Sequence, residues 1–271
     1  MQRWTRKTSV DHEELWHARL DGIDPGHVLM STKPGSRCLV IQVFGTARDL
    51  QPLQKRFGGT LSAADLEIPC VPASPIPIRG RLRIHSVEPE TPLHHRDIVI
   101  PQGMAFGTGD HATTATCLRL LCDLAPALRP GWTALDAGTG SGLLAIACER
   151  LGASDVVAFD NDPVCIRIVK ENLERNGCRH VRALVHDVRK ALRIPKVDVV
   201  LANLFSSLLL ESAPGLRQRL QAGGHLIFSG ILKSQIREVC AGLKAGGFEE
   251  PRIVTRGKWC AGLARLELAR H

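Results

Sequence analysis

The 271-residue sequence has no tyrosine, and aromatic residues make up only 4 % of it. A platform that stacks successive nucleic-acid bases on aromatic rings is therefore not expected. Nine cysteines are present, Cys38, Cys70, Cys117, Cys122, Cys148, Cys165, Cys178, Cys240 and Cys260, but no two have Cys-x-x-Cys spacing. Neither a zinc knuckle nor a redox dithiol is encoded, and no metal site is expected. Several of these cysteines lie in apolar segments, where the side chain packs as a small hydrophobe. Reduced thiols in a reducing compartment are the expectation. No apolar run approaches the ~18 residues of a membrane span. The basic start, Met1 to Thr8, lacks the apolar stretch of a secretory signal. Together these absences predict a cytoplasmic protein with no membrane partner. The formal net charge is +8, yet the cations are scattered, with no block of five or six. Solvated basic faces account for them more simply than direct nucleic-acid binding, which is not expected.

What the sequence does have is a glycine loop. A short apolar run ends in Asp136, and Gly138, Gly140 and Gly142 follow at alternate positions before a helix-like stretch that closes at Gly152. Glycine permits positive φ and lets a ligand approach backbone N–H groups. The start of the following helix adds partial positive charge. Strand, tight loop and helix together make a nucleotide cradle, with Asp136, Gly138 and Gly140 as its candidate cofactor-binding residues.

The alternation continues on the C-terminal side of this loop. Residues 155–160 read as a second strand, and Asp162-Pro163 starts a helix, with proline at the tolerated first position. That helix stops at Asn176-Gly177. Residues 181–185, 197–202 and 225–230 give three more strands, with helices to about residue 220 and over 233–245. Two strand-like runs, 252–255 and 260–268, have no helix between them. Five β-α alternations predict an α/β fold with a doubly wound, mostly parallel, seven-stranded Rossmann-like sheet that ends in an antiparallel hairpin.

The first hundred residues are less regular. Residues 13–20 suggest a helix, 38–44 a strand, and 47–57 a helix stopped by Gly58-Gly59. Residues 1–60 are expected to form a small N-terminal α/β domain. Residues 61–100, punctuated by Pro69, Pro72, Pro75, Pro77, Pro89 and Pro92, are expected to form a proline-rich connector with short strands at 81–85 and 98–100, because proline blocks long helices and central strands. The main domain is expected over 101–271. It opens with a glycine- and hydroxyl-rich loop, residues 102–114, at the start of a helix running to about residue 125. Asp110 or Thr113 is the expected cap.

In such sheets the ligand lies beyond the carboxyl ends of the strands, at the switch point. Asp160, which ends the second strand about 20 residues after the glycine loop, is placed to accept hydrogen bonds from ribose hydroxyls. The glycine spacing is Gly-x-Gly-x-Gly, not the Gly-x-Gly-x-x-Gly of a dinucleotide site, and the Gly-Lys-Ser/Thr of a Walker loop is missing. S-adenosylmethionine, which has a ribose and an amino-acid part but no phosphates, fits better than NAD or a nucleoside triphosphate.

Asp136-Ala-Gly-Thr-Gly-Ser-Gly142, Asp160 and Asn203 resemble the class I S-adenosylmethionine-dependent methyltransferases. Met104-Ala-Phe-Gly-Thr-Gly-Asp-His-Ala-Thr-Thr114, Leu201-Ala-Asn-Leu204 and Ser229-Gly-Ile-Leu232 resemble more narrowly the ribosomal protein L11 methyltransferase family, over about residue 78 to the C-terminus. By position the resemblance implies cofactor contacts from Thr114, Gly138, Asp160 and Asn203. It also implies that Phe106 and Thr108 belong to a loop closing over the cofactor, and that Asp187, at the end of the third strand, accepts from the adenine amine. Its implied N-terminal substrate-recognition domain is ferredoxin-like; only one strand and one or two helices are legible before the prolines, which predicts a shortened or diverged version.

The reaction implied is attack of a neutral amine, of a lysine or an α-amino group, on a sulfonium methyl. Lysine has a reference pKa of about 10.4, which desolvation lowers, and alignment supplies much of the rest. Asn203 is the candidate catalytic residue, orienting the amine or the cofactor, although Asn203-Leu-Phe-Ser206 differs from the Asn/Asp-Pro-Pro-aromatic run of many amine methyltransferases. No dedicated general base is expected; His111 lies nearest and reads as part of a capped turn. The implied partner is a protein substrate, a ribosomal protein. The alternatives are the same chemistry on another protein lysine or a small molecule, and a non-catalytic nucleotide-binding module associated with the ribosome.

Overall fold

The computed structural model describes residues 2–12, 15–16, 19–20, 23, 28–32, 36–63, 75–89, 91–101 and 111–268. The chain divides into two units, Met1–Val71 and Pro72–His271.

The smaller unit is built on a four-stranded antiparallel sheet. Its strands are β1 (Gln2–Ser9), β2 (Val28–Thr32), β3 (Cys38–Gly45) and β4 (Thr60–Ala63), in the order β2-β3-β1-β4. Helix α1 (Ala47–Phe57) connects β3 to β4. It starts where the Thr46 N–H and hydroxyl both donate to Asp49 Oδ2, at 3.0 and 2.6 Å, so the Asp49 carboxylate satisfies an amide at the helix start. Trp4 stands opposite Val43 and Leu61 and is fully buried, and its indole N–H donates to Gly58 O at 2.7 Å. Leu39, Ile41, Val43, Leu50 and Leu53 pack around it. Four strands in this order, with a helical crossover before β4, follow the ferredoxin-like pattern. The single strand legible there in the sequence is one of four, so that count is corrected. In β1, Gln2-Arg-Trp-Thr-Arg-Lys-Thr-Ser9, Trp4 alone is fully buried, so one anchored tryptophan in a polar strand hides the alternation. The helix expected over residues 13–20 falls largely outside the described residues.

In the larger unit the proline-rich stretch expected as a connector carries β5 (Ile76–Ile78), β6 (Leu82–His85) and β7 (Asp97–Val99). These form a three-stranded sheet in that order, with β5 and its Pro77 at an edge. Ile78, Leu82, Ile84, Ile98 and Ile100 are buried in the core of the larger unit. Asp97, also buried, accepts from Arg83 Nε at 2.7 Å, Arg83 Nη2 at 2.9 Å, His85 Nε2 at 2.9 Å and the His94 amide at 2.9 Å. Burial acts to raise its pKa, but those hydrogen bonds prevail and hold it at about 2.

The main sheet has seven strands: β8 (Thr133–Ala137), β9 (Asp155–Asp160), β10 (Val181–Val185), β11 (Val197–Asn203), β12 (Leu220–Leu232), β13 (Arg252–Arg256) and β14 (Trp259–Arg265). Their order is β10-β9-β8-β11-β12-β14-β13. The first five are parallel, and β14 runs antiparallel to both β12 and β13. The doubly wound fold and its terminal hairpin are as expected. Helices α2 (Ala112–Leu124), α3 (Leu143–Arg150), α4 (Pro163–Arg175), α5 (Ser206–Arg219) and α6 (Ile236–Ala245) belong to this unit. One core joins Leu118, Ile146, Val156 and Leu201; the other joins Leu209, Val200, Phe228 and Val239. A sheet covered on both faces makes its central strands continuous apolar runs, and residues Val199, Val200, Leu201 and Ala202 are all fully buried.

Asn176, just past α4, ties the small sheet to this body. Its Oδ1 accepts from the Val99 amide and its Nδ2 donates to Val99 O, both at 2.8 Å. Among the described residues, no helix is long and apolar enough to cross a membrane.

Candidate active site

The chain leaves β8 for β9 and β10 on one side and returns to β11 and β12 on the other, so the switch point lies between β8 and β11. The carboxyl ends of these strands carry Asp136, Asp160, Asn203 and Ser229. The sheet thereby gathers residues widely separated in the sequence at the end where ligands bind in doubly wound folds.

The glycine loop is fastened to the end of β9. The amides of Gly138 and Thr139 both donate to Phe159 O at 2.9 Å. Asp160 receives the Gly140 amide on Oδ2 at 3.0 Å and the Asp162 amide on Oδ1 at 3.1 Å. These bonds fix the orientation of its carboxylate, and each oxygen keeps a further lone pair for a hydroxyl donor.

Asp136 is 1 % exposed. Its Oδ2 accepts from Thr139 Oγ1 at 2.6 Å, whereas Oδ1 is buried with no hydrogen-bond partner among the described residues. Burial pushes its pKa up to about 7; the Thr139 hydroxyl and the Ala145 amide offset part of that without satisfying Oδ1. An orphaned, buried carboxylate oxygen is costly unless a donor or a positive charge reaches it.

On the other side of the switch point, Asn203 Nδ2 donates to Thr114 Oγ1 at 3.3 Å, joining the end of β11 to the first turn of α2. Leu204, the next residue, is held between two glycines. Gly138 has φ +71°, and a Cβ there would lie 2.6 Å from Leu204 Cδ2. Gly230 has φ +86°, and a Cβ there would lie 2.5 Å from Leu204 O. The Leu204 amide also donates to Ser229 O at 3.1 Å. Gly230 is required twice, for left-handed backbone and for space against a carbonyl that cannot move aside, whereas at Gly138 the left-handed backbone is the stronger demand and the Leu204 side-chain tip can give way.

The cap of α2 differs from expectation. His111 is the N-cap residue in place of Asp110 or Thr113; its Nδ1 lies 2.7 Å from Thr113 Oγ1 and accepts from the Thr113 amide at 3.4 Å. Its ring meets Trp259 edge-on, with centroids 5.5 Å apart. Sequence reasoning missed Trp259, which lies at the start of β14 and becomes part of the site only through the hairpin. It also missed Phe205, an exposed aromatic two residues after Asn203.

Asp187 follows the end of β10 and is engaged by Arg189. Oδ1 accepts from the Arg189 amide and Nε, and Oδ2 from Nη2, all at 3.0 Å. The Arg189 guanidinium and amide hold its pKa at about 2. One lone pair on Oδ2 is left over. Phe106 and Thr108 lie outside the described residues, as does the rest of the loop over 102–110. Among the described residues, no group of three or more His, Cys, Asp and Glu side chains is placed to hold a metal, and no disulfide links the described cysteines.

A loop of three left-handed glycines, a carboxylate oriented by two backbone amides and a buried unpartnered carboxylate oxygen make up an arrangement suited to a cationic ligand bearing hydroxyl groups. Residues 73–267 match the family model described as ribosomal protein L11 methyltransferase (PrmA). The ribosomal protein L11 methyltransferase of Pelotomaculum thermopropionicum is 42 % identical over 173 residues, 63 % of this chain and 55 % of that protein. That of Lacticaseibacillus paracasei is 36 % identical over 164 residues, 60 % of this chain and 51 % of its own length. The chain thus spans about half the length of these curated relatives. Among solved structures, the ribosomal protein L11 methylase of Lactobacillus delbrueckii subsp. bulgaricus superposes with a TM-score of 0.64 and 29 % identity, covering 72 % of this chain and all of that one.

Proposed function

Because the chain belongs to the ribosomal protein L11 methyltransferase family, we propose that it is an S-adenosylmethionine-dependent protein N-methyltransferase acting on a lysine or α-amino group of a ribosomal protein of the L11 kind. The observation that carries this reading is the convergence on one crevice of the glycine loop, Asp160 and the Asn203–Thr114 pair. Bound there, S-adenosylmethionine supplies an electrophilic methyl group on a cationic sulfur.

The chain's own residues then have distinct tasks. The backbone of Gly138 and Gly140 lets the cofactor approach closely. Asp160 accepts from the ribose hydroxyls, its carboxylate already oriented by the Gly140 and Asp162 amides. Asp136 offers its unpaired Oδ1 to the positive end of the ligand. By the family resemblance, Asp187 would accept from the adenine amine with its remaining lone pair, and Phe106 and Thr108 would belong to the loop that covers the cofactor. With Nδ2 given to Thr114, Asn203 presents its carbonyl Oδ1 to an N–H of the incoming amine and so turns the nitrogen lone pair toward the reacting methyl. Orientation and desolvation do most of the work that a general base would otherwise do. His111 is engaged in the α2 cap and serves structure.

Titration calorimetry with S-adenosylmethionine and with NAD tests the cofactor, and labelled methyl transfer into fractionated lysate, followed by mass spectrometry of the labelled species, tests the acceptor. Binding of the first ligand alone and label in a ribosomal protein are expected. Heat with NAD only, or label confined to RNA or small molecules, would discard the reading.

A further inference from the structure

Phe205 is the one exposed aromatic side chain among the described residues, and at 68 % it is more exposed than any other large apolar side chain described. An isolated apolar side chain at a surface needs no special account. Phe205, however, also occupies a place that helix chemistry favours for other residues. It is the N-cap residue of α5, with φ of −64° and ψ of 152°, and it makes no side-chain cap hydrogen bond. Ser, Thr, Asp or Asn is preferred there, because a short side-chain oxygen accepts from an amide of the first turn. Asp162 does this for α4, accepting from the Val164 amide at 2.7 Å, and His111 does it for α2. A phenyl ring offers no acceptor, and here it gains little burial in exchange. Positions that give up a local preference without a packing gain concentrate at functional sites. The backbone that carries this ring is held. The Leu204 amide donates to Ser229 O at 3.1 Å, Leu204 O lies against Gly230, and Phe205 O accepts from the Leu209 amide at 2.9 Å.

We propose that the Phe205 ring is the apolar wall of the acceptor side of the site and packs on the aliphatic carbons that carry the target amine. This rests on the methyltransferase reading, in which the cofactor takes the β8–β9 side of the switch point, with the glycine loop and Asp160, and leaves the end of β11 to the acceptor. Asn203, which orients the amine in that reading, is only two residues before Phe205. Each methylene that the ring covers favours binding by about fourfold, so two amount to roughly tenfold. The same ring keeps water from the amine, and desolvation favours its neutral, nucleophilic form. Because the contact is apolar, salt has little effect on it, and because it lies on the acceptor side, the cofactor does not depend on it.

The test uses the full chain, its variants Phe205→Ser, Phe205→Leu and Phe205→Tyr, and total protein extracted from ribosomes as the acceptor. Labelled methyl transfer is followed against acceptor concentration, beside melting temperature and S-adenosylmethionine affinity. Phe205→Ser supplies the missing cap, so its melting temperature should rise by about 2 °C, with cofactor affinity unchanged. Its kcat/KM for the acceptor should fall about tenfold, mostly through KM and independently of salt, and the midpoint of its pH–rate profile should move upward. Phe205→Leu should lose no more than about threefold, and Phe205→Tyr should match the wild type. A lower melting temperature for Phe205→Ser would show that the ring serves the fold, and undiminished kcat/KM would show that the acceptor does not meet it; either overturns the proposal. So does a wild-type dimer, seen by sedimentation, that Phe205→Ser dissociates, because a second copy of the chain would then cover the ring. Absence of S-adenosylmethionine binding by the wild type in calorimetry would instead overturn the reading beneath it.

Discussion

The buried carboxylate of Asp136 gives the sharpest test. Its folded pKa is about 7, against an ordinary value of 3.8. Between those two values the native state holds a proton that the unfolded state has lost, so stability falls as pH rises through this window and levels off above it. The full span amounts to roughly 4 kcal/mol, and the part between about pH 5.5 and pH 8 to roughly 2 kcal/mol. Asp136→Asn keeps an acceptor for the Thr139 hydroxyl and removes the titration. Urea unfolding of both proteins at the two pH values yields four stabilities. The wild type should lose about 2 kcal/mol more than the variant on going from the lower pH to the higher, and other titrating groups cancel in the difference. A bound cation favours the ionised form, so wild-type affinity for S-adenosylmethionine should also rise through neutral pH, whereas that of the variant should be weaker and flat. Parallel stability profiles for the two proteins would refute the argument, because they would show that Asp136 is ionised throughout or paired by a group other than those described.

Three further outcomes are expected. Gly230→Ala should cost roughly 2–4 kcal/mol, from left-handed backbone and from crowding against Leu204 O; an unfolding midpoint within experimental error of wild type would remove the wedge around Leu204. Asp160→Asn should weaken S-adenosylmethionine about tenfold or more, in line with loss of a charge-assisted hydrogen bond, and unchanged calorimetry would end its ribose role. Asp97→Asn should lower the melting temperature most near pH 6, with the gap to wild type closing as pH falls from 3.8 toward about 2, the window in which the wild-type carboxylate gives up its bonded, ionised form; a gap independent of pH would contradict the pKa assigned to it.

The parts of the molecule that were legible in the sequence share a local signal. The strands of the main sheet are apolar runs bounded by glycine, aspartate or asparagine, because both faces of that sheet are covered. Asp136, Gly138 and Asp160 lie at the ends of such runs, so their place follows from the order of elements. The contact between Asn203 and Thr114 spans 89 residues, and no local pattern announces it; only the family resemblance paired those positions. The polar strand β1 was hidden because its buried positions hold little but Trp4. In β5–β7, the prolines carried the reading toward a connector, although the isoleucines between them are core residues. Leu204 and Trp259 meet their partners through elements distant in sequence, so those contacts had to be found in three dimensions.

The Asn176 side chain offers Val99 an acceptor and a donor in the same spacing as a peptide group. To β7 it is a one-residue neighbouring strand, supplied by the end of a helix. The outer edge of the small sheet is thereby closed to pairing with another chain, and the position admits few substitutes. Aspartate lacks the donor, leucine lacks both functions, and glutamine carries the amide one bond too far. A single carboxamide thus guards a sheet edge that other proteins protect with charge, proline or a covering loop.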